Sequence, residues 1–130
     1  VGTAGTGPHI ALPRDYNAAV DLIGRNLAAG RGDKPAFIDD QGTYTYNQLS
    51  ERVDRAVNAL RALGLEPEQR VLLCLLDTID FPTLFLGCIK AGIVPIPVNT
   101  LLTTEDYDFM LRDSRARALF VSDATPLPSA

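Results

Sequence analysis

The stretch from Arg70 to Asn99 constrains the fold of this chain more than any other, because it reads as strand, helix, strand. Val71 to Leu76 is a near-continuous apolar run, the pattern of a strand buried on both faces of a mainly parallel sheet. Asp80 is placed to cap the next helix, Pro82 falls in its first turn, where a missing N–H is harmless, and Gly92 is placed to end it in the left-handed conformation. That helix carries Phe81, Leu84, Phe85, Leu86, Cys88 and Ile89, so apolar side chains surround most of it and it must be covered on more than one side. Val94 to Val98 returns as a second strand, and the whole is a right-handed crossover unit. Pro95 and Pro97, two apart, remove ladder donors along one side, which sends this strand to a sheet edge.

The flanking segments extend the pattern. Asn17 opens a helix with Val20, Ile23 and Leu27 on one stripe, closed by Gly30 and Gly32. Ala36 to Ile38 and Thr43 to Thr45 flank Asp39-Asp40-Gln41-Gly42, a short hairpin. Thr45 and Gln48 have capping-box spacing, and the helix they start puts Leu49, Val53, Ala56, Val57, Leu60 and Leu63 on one face before Gly64, with Leu65 packing back. Thr104 is expected to cap a helix through about Asp113, with acidic residues at its positive end, and Ala118 to Val121 is another apolar strand. Helices and strands alternating from Thr45 onward give an α/β fold: a doubly wound, mainly parallel sheet with flanking helices. The expected divisions are a flexible tail over 1–13, an α/β unit over 14–123 and an unstructured end over 124–130.

At 130 residues, with 46% hydrophobic and 22% charged residues, the composition is that of one globular domain. A net charge of −4 with scattered Lys and Arg points to neither nucleic acid nor an anionic membrane as partner. Cys74 and Cys88, both amid apolar neighbours, read as reduced core thiols, and with no leader or membrane-length run they point to the cytoplasm. Thr3 to Pro8 imitates a phosphate loop, but no strand precedes it, no helix comes after it and no lysine is present, so it reads as tail; His9, the only histidine, has no ligand-spaced partner. No catalytic residue and no metal ligand set is assigned. Asn99 and Thr100 are the candidate cofactor-binding residues, since they lie just past the C-terminal end of a strand, where α/β proteins bind ligands.

Four segments in register carry a family resemblance: Thr45-Tyr46-Asn47-Gln48-Leu49; Gly64-Leu65 with Arg70-Val71 after it; Cys88 through Asn99, with Lys90-Ala91-Gly92 and Pro95; and Leu111 to Arg117. Together they resemble the N-terminal region of the adenylate-forming acyl-CoA synthetases, over about Asn17 to Ser122. Arg31 to Asp40, Leu76-Asp77-Thr78 and Pro97 to Thr103 resemble the benzoate-CoA ligase branch most. The resemblance implies the first sub-domain of a larger adenylating fold, whose full-length enzyme takes ATP, Mg²⁺ and CoA, joins an aromatic carboxylate to AMP with release of pyrophosphate, and transfers the acyl group to CoA in aromatic acid degradation. In such enzymes the Gly-rich phosphate loop, the ribose-binding aspartate and the mobile-domain lysine come later in the chain. None is in this sequence, so the chain reads as scaffold, inactive alone, with no cofactor of its own and with the remainder of the same enzyme as its partner. Its uncovered surface is expected to self-associate. The rival reading is a stand-alone flavodoxin-like binding module without catalysis.

Overall fold

The computed structural model describes residues 7–123; Thr3 to Thr6 of the phosphate-loop imitation and the expected tail end at 124–130 lie outside the described residues. Four helices, α1 (Ala18–Ala28), α2 (Tyr46–Ala62), α3 (Asp80–Lys90) and α4 (Thr104–Ser114), combine with five strands, β1 (Pro35–Asp39), β2 (Gly42–Thr45), β3 (Arg70–Cys74), β4 (Val94–Pro97) and β5 (Ala118–Val121). β1 and β2 form an antiparallel hairpin, and the other three strands form a parallel sheet in the order β4-β3-β5. The chain passes from β3 through α3 to β4 on one side and then back across β3 through α4 to β5. With right-handed crossovers, α3 and α4 lie on opposite faces, which makes the sheet doubly wound as expected.

β3 is the axis of this arrangement. Val71, Leu72 and Leu73 are wholly buried and Cys74 nearly so. Val71, Leu73 and Leu75 share a core with Leu60, Cys88 and Ile93, against which Phe81, Leu84, Phe85 and Phe120 pack. A second core joins Ile23, Leu49, Val53 and Ile79, with Phe37, Tyr44 and Leu86 at its margin. Helix α3 stands between the two. As its apolar ring predicted, it is covered on more than one side: Cys88, Phe81, Leu84 and Phe85 belong to the first core and Leu86 to the second, with Thr83, Gly87 and Cys88 buried and the large side chains half-buried.

Local chemistry sets the element ends. Asn17 caps α1, its Oδ1 accepting from the N–H groups of Ala19 and Val20, while its amide donates to the Ile89 carbonyl at 2.9 Å and ties the start of α1 to the end of α3. The capping box of Thr45 and Gln48 is present. Gly30, Gly64 and Gly92 adopt φ of 75°, 80° and 78° just past α1, α2 and α3, and after each a backbone bond reaches back across the last turn, such as Ile93 N–H to Cys88 O at 2.8 Å. At the sheet edge, the N–H groups of Val94 and Val98 donate to Gln69 and Leu73, so Pro95 and Pro97 turn their missing donors toward the free side.

Five expectations shift. β3 ends at Cys74 rather than Leu76, because the Ser122 hydroxyl takes the Leu76 N–H and the chain then bends. Asp80 is the first helical residue, not the cap: Thr78 receives the Asp80 and Phe81 N–H groups, and the Asp80 carboxylate pairs instead with Arg52 at 3.1 Å. Thr103, not Thr104, caps α4, because Asp106 three residues on completes a capping box with it. Val20 is 52% exposed, Ala19 taking the buried position, and Leu63 is 64% exposed because the helix has already reached its C-cap.

The closest approach in the core is at Gly87, where an added Cβ would sit 2.9 Å from the Ala56 Cβ on α2. Gly87→Val should lower stability by roughly 1–3 kcal/mol through overpacking. Gly24→Ala, in the interior of α1 with open space around it, should raise stability by roughly 0.5–1 kcal/mol. Denaturant titration of both variants checks the pair; a Gly87→Val chain as stable as its parent would contradict the close contact between α2 and α3.

Candidate functional site

Open α/β sheets bind ligands in crevices outside the C-terminal ends of their strands. At that end of β3 and β4 the chain forms one such crevice. The crevice is a recess of about 300 Å³ lined by Leu75, Leu76, Asp77, Phe81, Val98, Asn99 and Thr100. Asn99 and Thr100 are thus beside the loop that leaves β3.

Both walls are held by hydrogen bonds. On the β3 side, Leu76 N–H donates to Ser122 Oγ, Ser122 N–H to Cys74 O, and Thr78 N–H to Leu76 O. The Asp39 carboxylate crosses from the hairpin turn and accepts from Ile79 N–H at 2.9 Å, while its other oxygen holds the Gln41 and Gly42 N–H groups. These backbone bonds, led by that of Ile79, hold the Asp39 pKa below the ordinary carboxylate value. On the β4 side, Asn99 Oδ1 accepts from Leu101 N–H at 2.9 Å, and Tyr107, 3% exposed, donates its hydroxyl proton to Asn99 O at 2.7 Å and accepts from Leu102 N–H. Burial, and then contact with the Cys74 thiol beneath it, push the Tyr107 pKa upward. The tyrosine thereby fastens loop 99–102 to α4.

A second recess of about 270 Å³ lies across the same loop, with Thr78, Asp80, Leu84, Phe120, Ser122 and Asp123 on its walls. The first recess sets Asp77, Asn99 and Thr100 around an apolar floor and the second Thr78, Asp80, Ser122 and Asp123, and neither is lined by a lysine or arginine. Among the described residues no group of three His, Cys, Asp or Glu side chains could hold a metal ion. His9 is exposed ahead of α1. The site can seat a small apolar body and hydrogen-bond its polar end; it has no paired nucleophile and base.

The sequence placed Asn99 and Thr100 at a strand end, and the structure brings them together with Asp77 and Phe81. Sequence reasoning missed Tyr107, Ser122 and Asp39, which shape the site from 5 to 46 residues away along the chain. The local signal was Tyr107 itself, the one buried residue of α4.

Cys74 and Cys88 are free and buried, and burial raises the Cys88 pKa to about 11. No helix among the described residues is long and apolar enough to cross a membrane.

The sequence profile of the AMP-binding enzyme family matches residues 25–130. A benzoate–CoA ligase of Thauera aromatica is 62% identical over 118 residues, covering 90% of this chain and 22% of the relative. A 4-hydroxybenzoate–CoA/benzoate–CoA ligase of Rhodopseudomonas palustris is 53% identical over 109 residues, covering 84% of this chain and 20% of the relative. A crystal structure of a benzoate CoA ligase from Burkholderia xenovorans LB400 superposes with a TM-score of 0.81 at 48% identity, over 85% of this chain and 22% of that one. The chain therefore spans about a fifth of the length of these relatives.

Two outcomes are expected. Asp39→Asn should lower the thermal midpoint at pH 7. Because the folded-state pKa of Asp39 lies below its unfolded value, the carboxylate stabilises above the unfolded pKa and that contribution is lost as pH falls through the folded one, so parent and variant should converge on acidification below the ordinary carboxylate range. A gap that stays constant with pH contradicts the cross-link from Asp39 to Ile79. At pH 8 a thiol reagent should label neither cysteine of the native chain and both after unfolding; rapid native labelling of Cys88 contradicts its burial.

Proposed function

The chain belongs to the AMP-binding enzyme family, and on that premise we propose that it is the N-terminal α/β sub-domain of an ATP-dependent aryl-acid–CoA ligase acting on benzoate or a simple ring-substituted benzoate. The observation that carries this reading is the 62% identity to the Thauera aromatica benzoate–CoA ligase across 90% of the chain. The complete enzyme joins the carboxylate to the α-phosphate of ATP, releasing pyrophosphate, and CoA thiolate then displaces AMP. ATP, Mg²⁺ and CoA belong to that larger protein, and this chain supplies scaffold. Its unit runs over 14–123, and Asn99 and Thr100, held by Tyr107, line the edge of the site that the remainder of the enzyme completes.

The linings of the two recesses, carboxylates and hydroxyls without a lysine or arginine, support a scaffold role rather than phosphate handling. A stand-alone flavodoxin-like module gains no support from these features or from the family match. The setting that fits the free, buried thiols is the cytoplasm.

Replacing the matching segment of the Thauera aromatica ligase with this chain should give an enzyme that forms benzoyl-CoA within about tenfold of the parent rate, a barrier change under ~1.4 kcal/mol. The isolated 130-residue chain should release no benzoate-dependent pyrophosphate. A folded chimera without activity, or ligase activity in the isolated chain, contradicts the scaffold role.

The surface is also informative. Leu101, just before α4, and Phe109, on it, are 88% and 67% exposed, and β5 is an edge of the sheet among the described residues. These surfaces face the remainder of the same enzyme, and the isolated chain should self-associate through them. Light scattering across a concentration series should show mass rising with concentration; a constant monomeric mass contradicts this.

A further inference from the structure

At the N-terminal end of the sheet, opposite the crevice, three exposed arginines, Arg70, Arg115 and Arg117, line an open recess of about 230 Å³ together with Glu68, Gln69 and Ser114. Arg117 N–H donates to Arg70 O at 2.7 Å, one step before the first ladder pair of Val71 with Ala118, so the two arginines start adjacent strands side by side. Like charges in that relation repel. The Arg70 guanidinium donates to the Ser114 carbonyl, and none of the three arginines makes an ion pair among the described residues, although Glu68 lies in the same recess.

The backbone is unusual at the same place. Among the described residues only Glu68 (φ 69°) and Arg115 (φ 56°) adopt the left-handed region without being glycine, and both line this recess. The other three helices close on glycines in that conformation, whereas α4 closes on Arg115. Glycine would relieve the steric conflict between Cβ and backbone. A local rule broken without a packing gain, beside two like charges, marks a place where something other than stability is served.

We propose that this recess binds a phosphate-type dianion, either free or as the end of a phosphorylated small molecule. Guanidinium groups carry planar, paired N–H donors suited to a tetrahedral oxyanion, and three of them line the recess. Binding there would offset the mutual repulsion of Arg70 and Arg117. The site is separate from the crevice and does not depend on the aryl-acid ligase reading.

Isothermal titration of the 130-residue chain with inorganic phosphate, and separately with glycerol 3-phosphate, in chloride at constant ionic strength, tests the proposal. Saturable binding is expected in at least one arm, and the stronger arm identifies the free ion or the ester as the preferred source. Arg115→Gln and Arg117→Gln should each weaken it by about tenfold, the scale of losing one charge-assisted contact. Arg115→Gly should raise the thermal midpoint without phosphate while weakening binding to the same extent. Absence of saturable binding in both arms, binding unchanged in the Gln variants, or a midpoint lowered by Arg115→Gly would overturn the proposal.

Discussion

The structure depends on removing β3 from water on both faces. Val71 and Leu73 face the core shared with α2 and α3, while Leu72 and Cys74 lie on the opposite side, where Tyr107 of α4 covers the Cys74 thiol. A parallel strand can be buried this way only if crossover helices leave toward both faces, so the apolar run at 71–75 demands a doubly wound sheet. The two crossovers in turn fix the position of the site. The crevice with Asn99 and Thr100 lies at the C-terminal ends of β3 and β4, and the loops after those strands become its walls.

Much of this could be read from residue order, because the deciding interactions are short-range. Thr45 with Gln48, and the glycines that close α1, α2 and α3, act within one helical turn and are visible as spacing. The alternation of Pro95 and Pro97 announces an edge strand for the same reason. Where two nearby residues compete for one role, the choice turns on a third: Asp106 selects Thr103 over Thr104, and Arg52, distant in sequence, draws Asp80 away from capping.

The candidate site was legible only in part. Position after a strand identifies Asn99 and Thr100, but the groups that hold the walls come from other elements. Asp39 in a hairpin turn anchors the start of α3 across 40 residues, and Ser122 receives the Leu76 N–H from a strand that has crossed the sheet. No local pattern encodes such contacts; they exist once the topology does. The two ends of the sheet also differ in charge. The recesses at the C-terminal end are lined by carboxylates, hydroxyls and an amide, and the N-terminal recess by three arginines.

The proposed scaffold role assigns the wall and the sheet to this chain and the groups of the ligase reaction to a longer protein. Sequencing the coding DNA past Ala130 tests it most directly. The reading frame should continue into a Thr/Ser/Gly-rich phosphate loop, and then reach an aspartate and a late lysine of the adenylate-forming type. A frame that closes without those elements would contradict the account.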